Sequence, residues 1–177
     1  MYNIHLNLYY GFANNRGYKF AKVLKSTYDK IYLSGVKQNQ SSYFYEGIKK
    51  QKKIIPIYLN NNSYLGWVIE HIKYFKNKKI TSISVHNLNC IILGVILKFI
   101  FNAKLIYEPH ELETETLNKK HIKKILGKII EKIFIRFFDY IIVVSPSIAN
   151  WYSKKYNIRK PSVIYNSLKK KKFKKYN

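Results

Sequence analysis

The chain has 177 residues, 47% of them hydrophobic, enough for one core of ordinary domain size and too apolar for a disordered chain. Its net charge of +24 invites an anionic partner, yet of 33 basic residues only Arg16, Arg136 and Arg159 are arginine, so the composition gives a diffuse field with no sign of specific nucleic-acid readout. The single cysteine, Cys90, excludes an intramolecular disulfide and a multi-cysteine metal site.

Ile4 to Tyr9 alternates polar and apolar residues as a strand does and ends at Gly11. It lacks the charged start and continuous apolar run of a signal peptide, so the expected location is cytoplasmic. A helix follows over Arg16–Lys25, with Phe20, Ala21, Val23 and Leu24 on one stripe. Next come a strand at Lys30–Leu33, a polar patch at Lys37–Ser42, a short helix, a strand at Ile54–Leu59 and a turn at Asn60–Asn62. A helix over Tyr64–Phe75 leads to a strand at Ile80–Val85. The longest apolar run, Cys90–Phe101, is interrupted by Lys98 and falls short of the roughly 20 residues of a spanning helix. It reads as a buried helix, and Lys104–Tyr107 as the strand after it.

A long helix over Leu117–Phe138 carries Ile122, Ile125, Leu126, Ile129, Ile130, Ile133, Phe134 and Phe137 at three- and four-residue steps, with Lys120, Lys123, Lys124, Lys128 and Lys132 opposite. Its apolar face is expected to pack on the sheet, because a parallel sheet needs both faces covered. A strand at Tyr140–Val144, a helix opened by Ser145 and Pro146, and a strand at Ser162–Tyr165 complete the series. Strands alternating with helices predict an α/β fold: one doubly wound, mainly parallel, Rossmann-like sheet in a single domain over residues 1–168, with a lysine-rich tail at 169–177.

In an open parallel sheet, ligands gather at the carboxyl ends of the strands. The loops there hold Gly11 to Gly17, His86-Asn87, Glu108-Pro109-His110-Glu111 and Asn166-Ser167. Glu108, Glu111, Glu113 and Glu115 are four of nine acidic residues within eight positions. Two readings fit equally. Either a carboxylate sets the tautomer of His110, or the glutamates sit at a helix start and neutralise lysines. His5 reads as an ordinary strand residue, and His71 and His121 as exposed helix residues. The Gly11–Gly17 segment matches neither a dinucleotide nor a phosphate-loop fingerprint, and no G-x-S-x-G elbow or zinc-protease spacing occurs.

Val85-His86-Asn87-Leu88, then Ala103 to Leu112 with Glu108-Pro109-His110-Glu111, then Asp139 to Ser145 and Pro161 to Asn166 together resemble the N-terminal domain of family 4 glycosyltransferases of the two-Rossmann-domain, GT-B type. The resemblance is most specific over Ser84–Asn166. It implies a hexosyltransferase-like activity in polysaccharide biosynthesis, in which sugar passes from a nucleotide sugar to a glycan or lipid-linked acceptor. It further implies His110 as the catalytic residue reaching the donor sugar, and Gly11 and Arg16 at the donor-phosphate and acceptor loop. His86, Asn87 and Glu111 would lie on the acceptor side, and Asn166 at the crossing into the second domain. No metal and no cofactor are implied.

Eleven residues follow Asn166. The expectation is therefore an N-terminal half, truncated or split from a partner chain that carries the donor domain, and incomplete alone. An anionic membrane surface, at the inner face of the membrane, is a further expected partner. The alternative is a basic membrane-surface or acceptor-binding module without catalysis.

Overall fold

The computed structural model describes residues 1–7, 16–35, 51–58, 63–112, 114–115 and 121–166. Within them run β1 (Tyr2–Leu6), α1 (Arg16–Leu24), β2 (Lys30–Gly35), β3 (Ile54–Tyr58), α2 (Tyr64–Phe75) and β4 (Ile80–Val85). Then follow α3 (Ile91–Phe101), β5 (Lys104–Tyr107), α4 (His121–Phe134), β6 (Tyr140–Val143), α5 (Pro146–Tyr156) and β7 (Ser162–Val163). The seven strands form one sheet in the order β3-β2-β1-β4-β5-β6-β7, and every pairing is parallel. The winding reverses between β1 and β4, where the register runs from Asn3 opposite Ser82 to Leu6 opposite Val85. A crevice at that reversal is the usual ligand position of such a sheet.

The doubly wound α/β expectation stands. Gly11, the Lys37–Ser42 patch, the Asn60–Asn62 turn, Ser167 and the lysine tail lie outside the described residues. Boundaries shift by a few residues where pairing decides them: β1 begins at Tyr2 because Tyr2 pairs Lys30, and β2 runs on to Gly35 because β3 accompanies it to Tyr58.

Helix ends follow local chemistry. The Ser63 hydroxyl accepts from the Gly66 N–H at 3.0 Å at the start of α2, and Ser145 does the same for Ile148 at 3.3 Å ahead of Pro146 in α5. The helices α3 and α5 end on left-handed asparagines, Asn102 (φ 48°) and Asn157 (φ 50°), a conformation asparagine tolerates better than most residues.

The apolar helix α3 lies against β4 and β5 at its glycine: a Cβ on Gly94 would stand 2.4 Å from Val85 Cγ2 and 3.3 Å from Leu105 Cδ1. Lys98, the interruption in that run, leaves the core by donating to Phe137 O and Asp139 Oδ2, both at 2.7 Å. No helix among the described residues is long and apolar enough to cross a membrane.

Two expectations need correction. His71 is fully buried rather than exposed: its Nδ1–H donates to Trp67 O at 2.8 Å, and its Nε2 accepts from the Ser34 hydroxyl at 2.5 Å. The apolar stripe of α4 packs on the sheet only in part. Ile130 and Phe134 join the core, but Ile122, Ile125, Leu126, Ile129 and Ile133 face solvent. A buried carboxylate explains the turn of the helix. Glu131 Oε1 accepts from the hydroxyls of Tyr107 (2.8 Å) and Tyr152 (2.7 Å), and Oε2 from that of Tyr156 (2.5 Å). Satisfying Glu131 from β5 and α5 orients α4 with half of its stripe outward.

Candidate functional site

Four side chains from three strands and one helix meet where β1, β4 and β5 end. His5 points from β1, His86 follows β4, Glu108 follows β5, and Arg16 opens α1. All four are buried, His86 completely and Glu108 to 2% exposure. His5 Nδ1 lies 2.7 Å from His86 Nε2, with the two rings stacked at 5.0 Å. His86 Nδ1 faces Glu108 Oε2 at 3.0 Å, imperfectly aligned for a hydrogen bond. The other carboxylate oxygen, Oε1, accepts from Arg16 Nε–H, and Arg16 Nη2 also donates to Ile164 O at 2.7 Å.

These contacts fix most of the proton positions. A carboxylate only accepts, so His86 presents Nδ1–H to Glu108. Only one proton fits between His86 Nε2 and His5 Nδ1. Burial, and then the charge of His86, push the proton affinity of His5 well below its ordinary value, so His5 is neutral. Burial raises the Glu108 pKa, but the hydrogen bonds and charges of His86 and Arg16 outweigh it and hold Glu108 below the ordinary carboxylate value.

Gly17 makes the arrangement possible. A Cβ there would stand 3.0 Å from His86 Nε2, so a larger residue at the second position of α1 would crowd the ring.

His110, two residues past Glu108, is half-buried, with its ring 5.7 Å from that of His86. Its Nε2 is buried with no hydrogen-bond partner among the described residues. Burial, aided by His86 and Arg16 and opposed by Glu108, lowers its pKa to about 4. It is therefore a neutral imidazole with an uncommitted nitrogen.

The structure brings together Arg16, His86 and His110 of the sequence-derived candidates. It leaves others at the margin. Asn87 is half-buried in extended backbone (φ −136°, ψ 148°) ahead of a 3₁₀ turn. Glu111 is exposed, and Asn166 is exposed with Oδ1 3.5 Å from Lys19 Nζ. His86 has no exposed surface and both nitrogens face protein groups, so any influence on an acceptor passes through Glu108 or His110. Arg16 is likewise committed to Glu108 and Ile164.

Sequence reasoning missed His5, Gly17 and the choice of Glu108 as the buried member of the acid cluster. Its position directly after an apolar strand was the available signal. Ligand atoms of His86, Glu108 and His110 lie within 4.8 Å of one another. Arg16, however, already sets a permanent positive charge on the same carboxylate, which disfavours a second cation there.

Acid should loosen the fold through its buried histidines. Burial lowers the pKa of His71 from 6.5 to about 4, as it does that of His110. The folded state therefore binds fewer protons than the unfolded chain between those values. Stability is expected to be full above pH 6.5 and to fall as pH drops towards 4, with His71 alone contributing about 3 kcal/mol, and to fall further below that as Glu108, held under the ordinary carboxylate value, takes up its proton. Urea midpoints at pH 7.5, 5.5 and 4.5 would show the fall, and the slope should be shallower in His71→Asn. A flat profile from 7.5 to 4.5 would refute this account.

Comparison with known proteins places this geometry in context. A family model described as Glycosyltransferase Family 4 matches residues 26–169. No curated protein matches significantly. Among solved structures, HepE of Anabaena in complex with UDP and glucose superposes with a TM-score of 0.64 at 14% identity, over 95% of this chain and 45% of that one. Sucrose-phosphate synthase of Thermosynechococcus elongatus gives 0.61 at 13% identity, over 93% and 47%. At such identities the likeness concerns the fold. The chain spans a little under half the length of these two proteins.

Proposed function

The chain belongs to glycosyltransferase family 4, and from that premise we propose that residues 1–168 form the acceptor-side domain of a sugar-transferring enzyme. It passes a hexosyl group from a nucleotide sugar to a glycan or lipid-linked acceptor of a surface polysaccharide, on the cytoplasmic side of the membrane. A second Rossmann half, supplied by a partner chain or by further sequence, holds most of the nucleotide.

The observation that carries this reading is His110: a neutral, half-buried imidazole with a free nitrogen at the carboxyl edge of the sheet, beside the reversal of winding. A neutral ring can hydrogen-bond a hydroxyl of the donor sugar without opposing the positive charge that develops at the anomeric carbon as the phosphate leaves. A preorganised dipole there stabilises the transition state more than the ground state.

Behind it, Glu108, His86 and His5 act as positioning residues. They hold the loop after β5, and with it His110, against the ends of β1 and β4. Arg16 neutralises Glu108 and ties the first helix to the segment after β7. Gly11 and backbone donors of the first loop approach the donor phosphates. Asn87 and Glu111 face the acceptor, and Asn166 marks the crossing to the second half.

The test is transfer of radiolabelled sugar from UDP-, GDP- and dTDP-sugars to lipid extracts, using the chain alone and mixed with a polypeptide carrying the second Rossmann half. Transfer should need the mixture and should fall about a hundredfold or more in His110→Ala. Transfer that survives this substitution would remove His110 from the chemistry. If no combination of donor and acceptor reacts, the enzyme reading fails.

A further inference from the structure

A tyrosine at a protein surface normally buries its ring and turns its hydroxyl to water. Tyr64, the first residue of α2, does the reverse. Its hydroxyl is held inside, donating to Asn89 O at 3.1 Å and accepting from Leu93 N–H at 3.3 Å, while the residue as a whole is 43% exposed. What it shows to solvent is therefore the ring. Burial, and then the neighbouring Cys90, push the pKa of the phenol up to about 12, so the hydroxyl stays protonated and keeps its bond to Asn89. Accepting from Leu93 satisfies a first-turn amide of α3, and the buried ring of Trp67, one turn along α2, lies 5.8 Å away on the inner side. The exposed ring is thus clamped between two helices.

Its place in the fold gives the clamp a use. The helix α2 starts after β3, and the 3₁₀ turn Leu88–Cys90 follows β4, so the ring stands at the carboxyl edge of the sheet, where ligands gather. Asn89 is exposed beside it, three residues past His86, whose own ring is 5.7 Å from that of His110. Charge narrows the class of ligand. The two stretches that meet here, Ile54–Ile72 and Ile80–Leu97, contain no Lys or Arg in a chain that has 33. A phosphate or an acidic polymer would find no local cation. A neutral pyranose fits, because its C–H groups lie against an aromatic face while its hydroxyls reach polar groups and water at the rim.

We propose that Tyr64 is the platform of an acceptor subsite, on which an uncharged pyranose residue of a glycan acceptor lies flat with Asn89 at its rim. The proposal rests on the reading of this chain as the acceptor-side domain and adds to it the class of acceptor and a residue that selects it. Tyr64 touches the acceptor and not the reacting atoms, so it sets affinity for the acceptor and leaves the chemical step alone.

The experiment is a saturation-transfer NMR titration of the full chain, without any donor, with cellobiose, lactose, maltose and di-N-acetylchitobiose. At least one of these neutral disaccharides should bind, and Tyr64→Ala should weaken it about tenfold. Tyr64→Phe keeps the ring and should stay within about threefold of the wild type, which separates loss of the platform from a folding defect. Leu65→Ala, at the exposed neighbour, should change nothing. Binding that Tyr64→Ala leaves unaltered, or no binding by any of the four, would overturn the proposal. So would a dimer in sedimentation velocity that Tyr64→Ala dissolves, by making the ring part of an interface between copies. In the transfer assay of the mixture, Tyr64→Ala should raise KM for the acceptor about tenfold and leave kcat and the donor KM unchanged. Transfer with an unchanged acceptor KM overturns the platform and leaves the enzyme reading standing. Saccharide binding that depends on Tyr64, without transfer in any combination, does the opposite.

Discussion

Arg16→Met should destabilise the chain by about 3–5 kcal/mol, because it strands the Glu108 carboxylate in a site of 2% exposure. In the native chain Glu108 Oε1 accepts from Arg16 while Oε2 faces His86 at 3.0 Å. Methionine fills much of the volume but supplies no donor, so the buried charge keeps only the poorly aligned imidazole. For a chain of this size the loss corresponds to a drop of about 10 °C in Tm.

Adding Glu108→Gln distinguishes this cause from simple loss of packing. With the charge gone, Arg16→Met/Glu108→Gln should recover a large part of the loss, since replacing both partners of a buried pair is far less costly than removing one. The recovery will be incomplete, because Arg16 also caps Ile164 O. A double variant as unstable as the sum of the two singles would show that the pair is not the source.

The second large effect is expected at Glu131→Ala, at about 3–5 kcal/mol. Its carboxylate is the acceptor for Tyr107, Tyr152 and Tyr156, and the first two are essentially inaccessible to solvent. Each buried hydroxyl left without an acceptor costs about 1–3 kcal/mol. Burial, and then the neighbouring carboxylate, raise the pKa of Tyr152 and Tyr156, so these phenols stay protonated donors and cannot escape by ionising. Glu131→Gln keeps one acceptor oxygen and should fall between wild type and alanine. Tyr156→Phe, at the half-buried member, should cost about 1 kcal/mol. Urea midpoints that rank these three variants in another order would refute the assignment.

Most of the fold was legible because its signals are local. The three- and four-residue spacing of apolar positions marks α4 within a few residues, the apolar run Cys90–Phe101 marks α3, and Ser145-Pro146 marks the start of α5. What escaped depends on contacts distant in sequence. His71 sits in a helix with Lys73 and Glu70 close by and reads as exposed, yet it is fixed by Ser34, 37 positions earlier. The stripe on α4 was visible, but its buried half is chosen by tyrosines 21 to 25 positions away. The same holds for the site. His110 and the acids around it stand out in the sequence, whereas the pairing of His5 with His86 spans 81 positions and that of Arg16 with Glu108 spans 92.

The place of β1 in the middle of the sheet sets a schedule for a chain emerging from a ribosome. Tyr2–Leu6 comes out first, but one of its two neighbours is β4, ending at Val85. At about 5–20 residues per second, roughly 4–16 seconds pass before that neighbour exists. During that interval one edge of β1 is open, and its inward polar groups, Asn3 and His5, lack Ser82 and His86. Nascent chains of this protein should therefore be most vulnerable to mispairing, and most in need of chaperones, before β4 has been made.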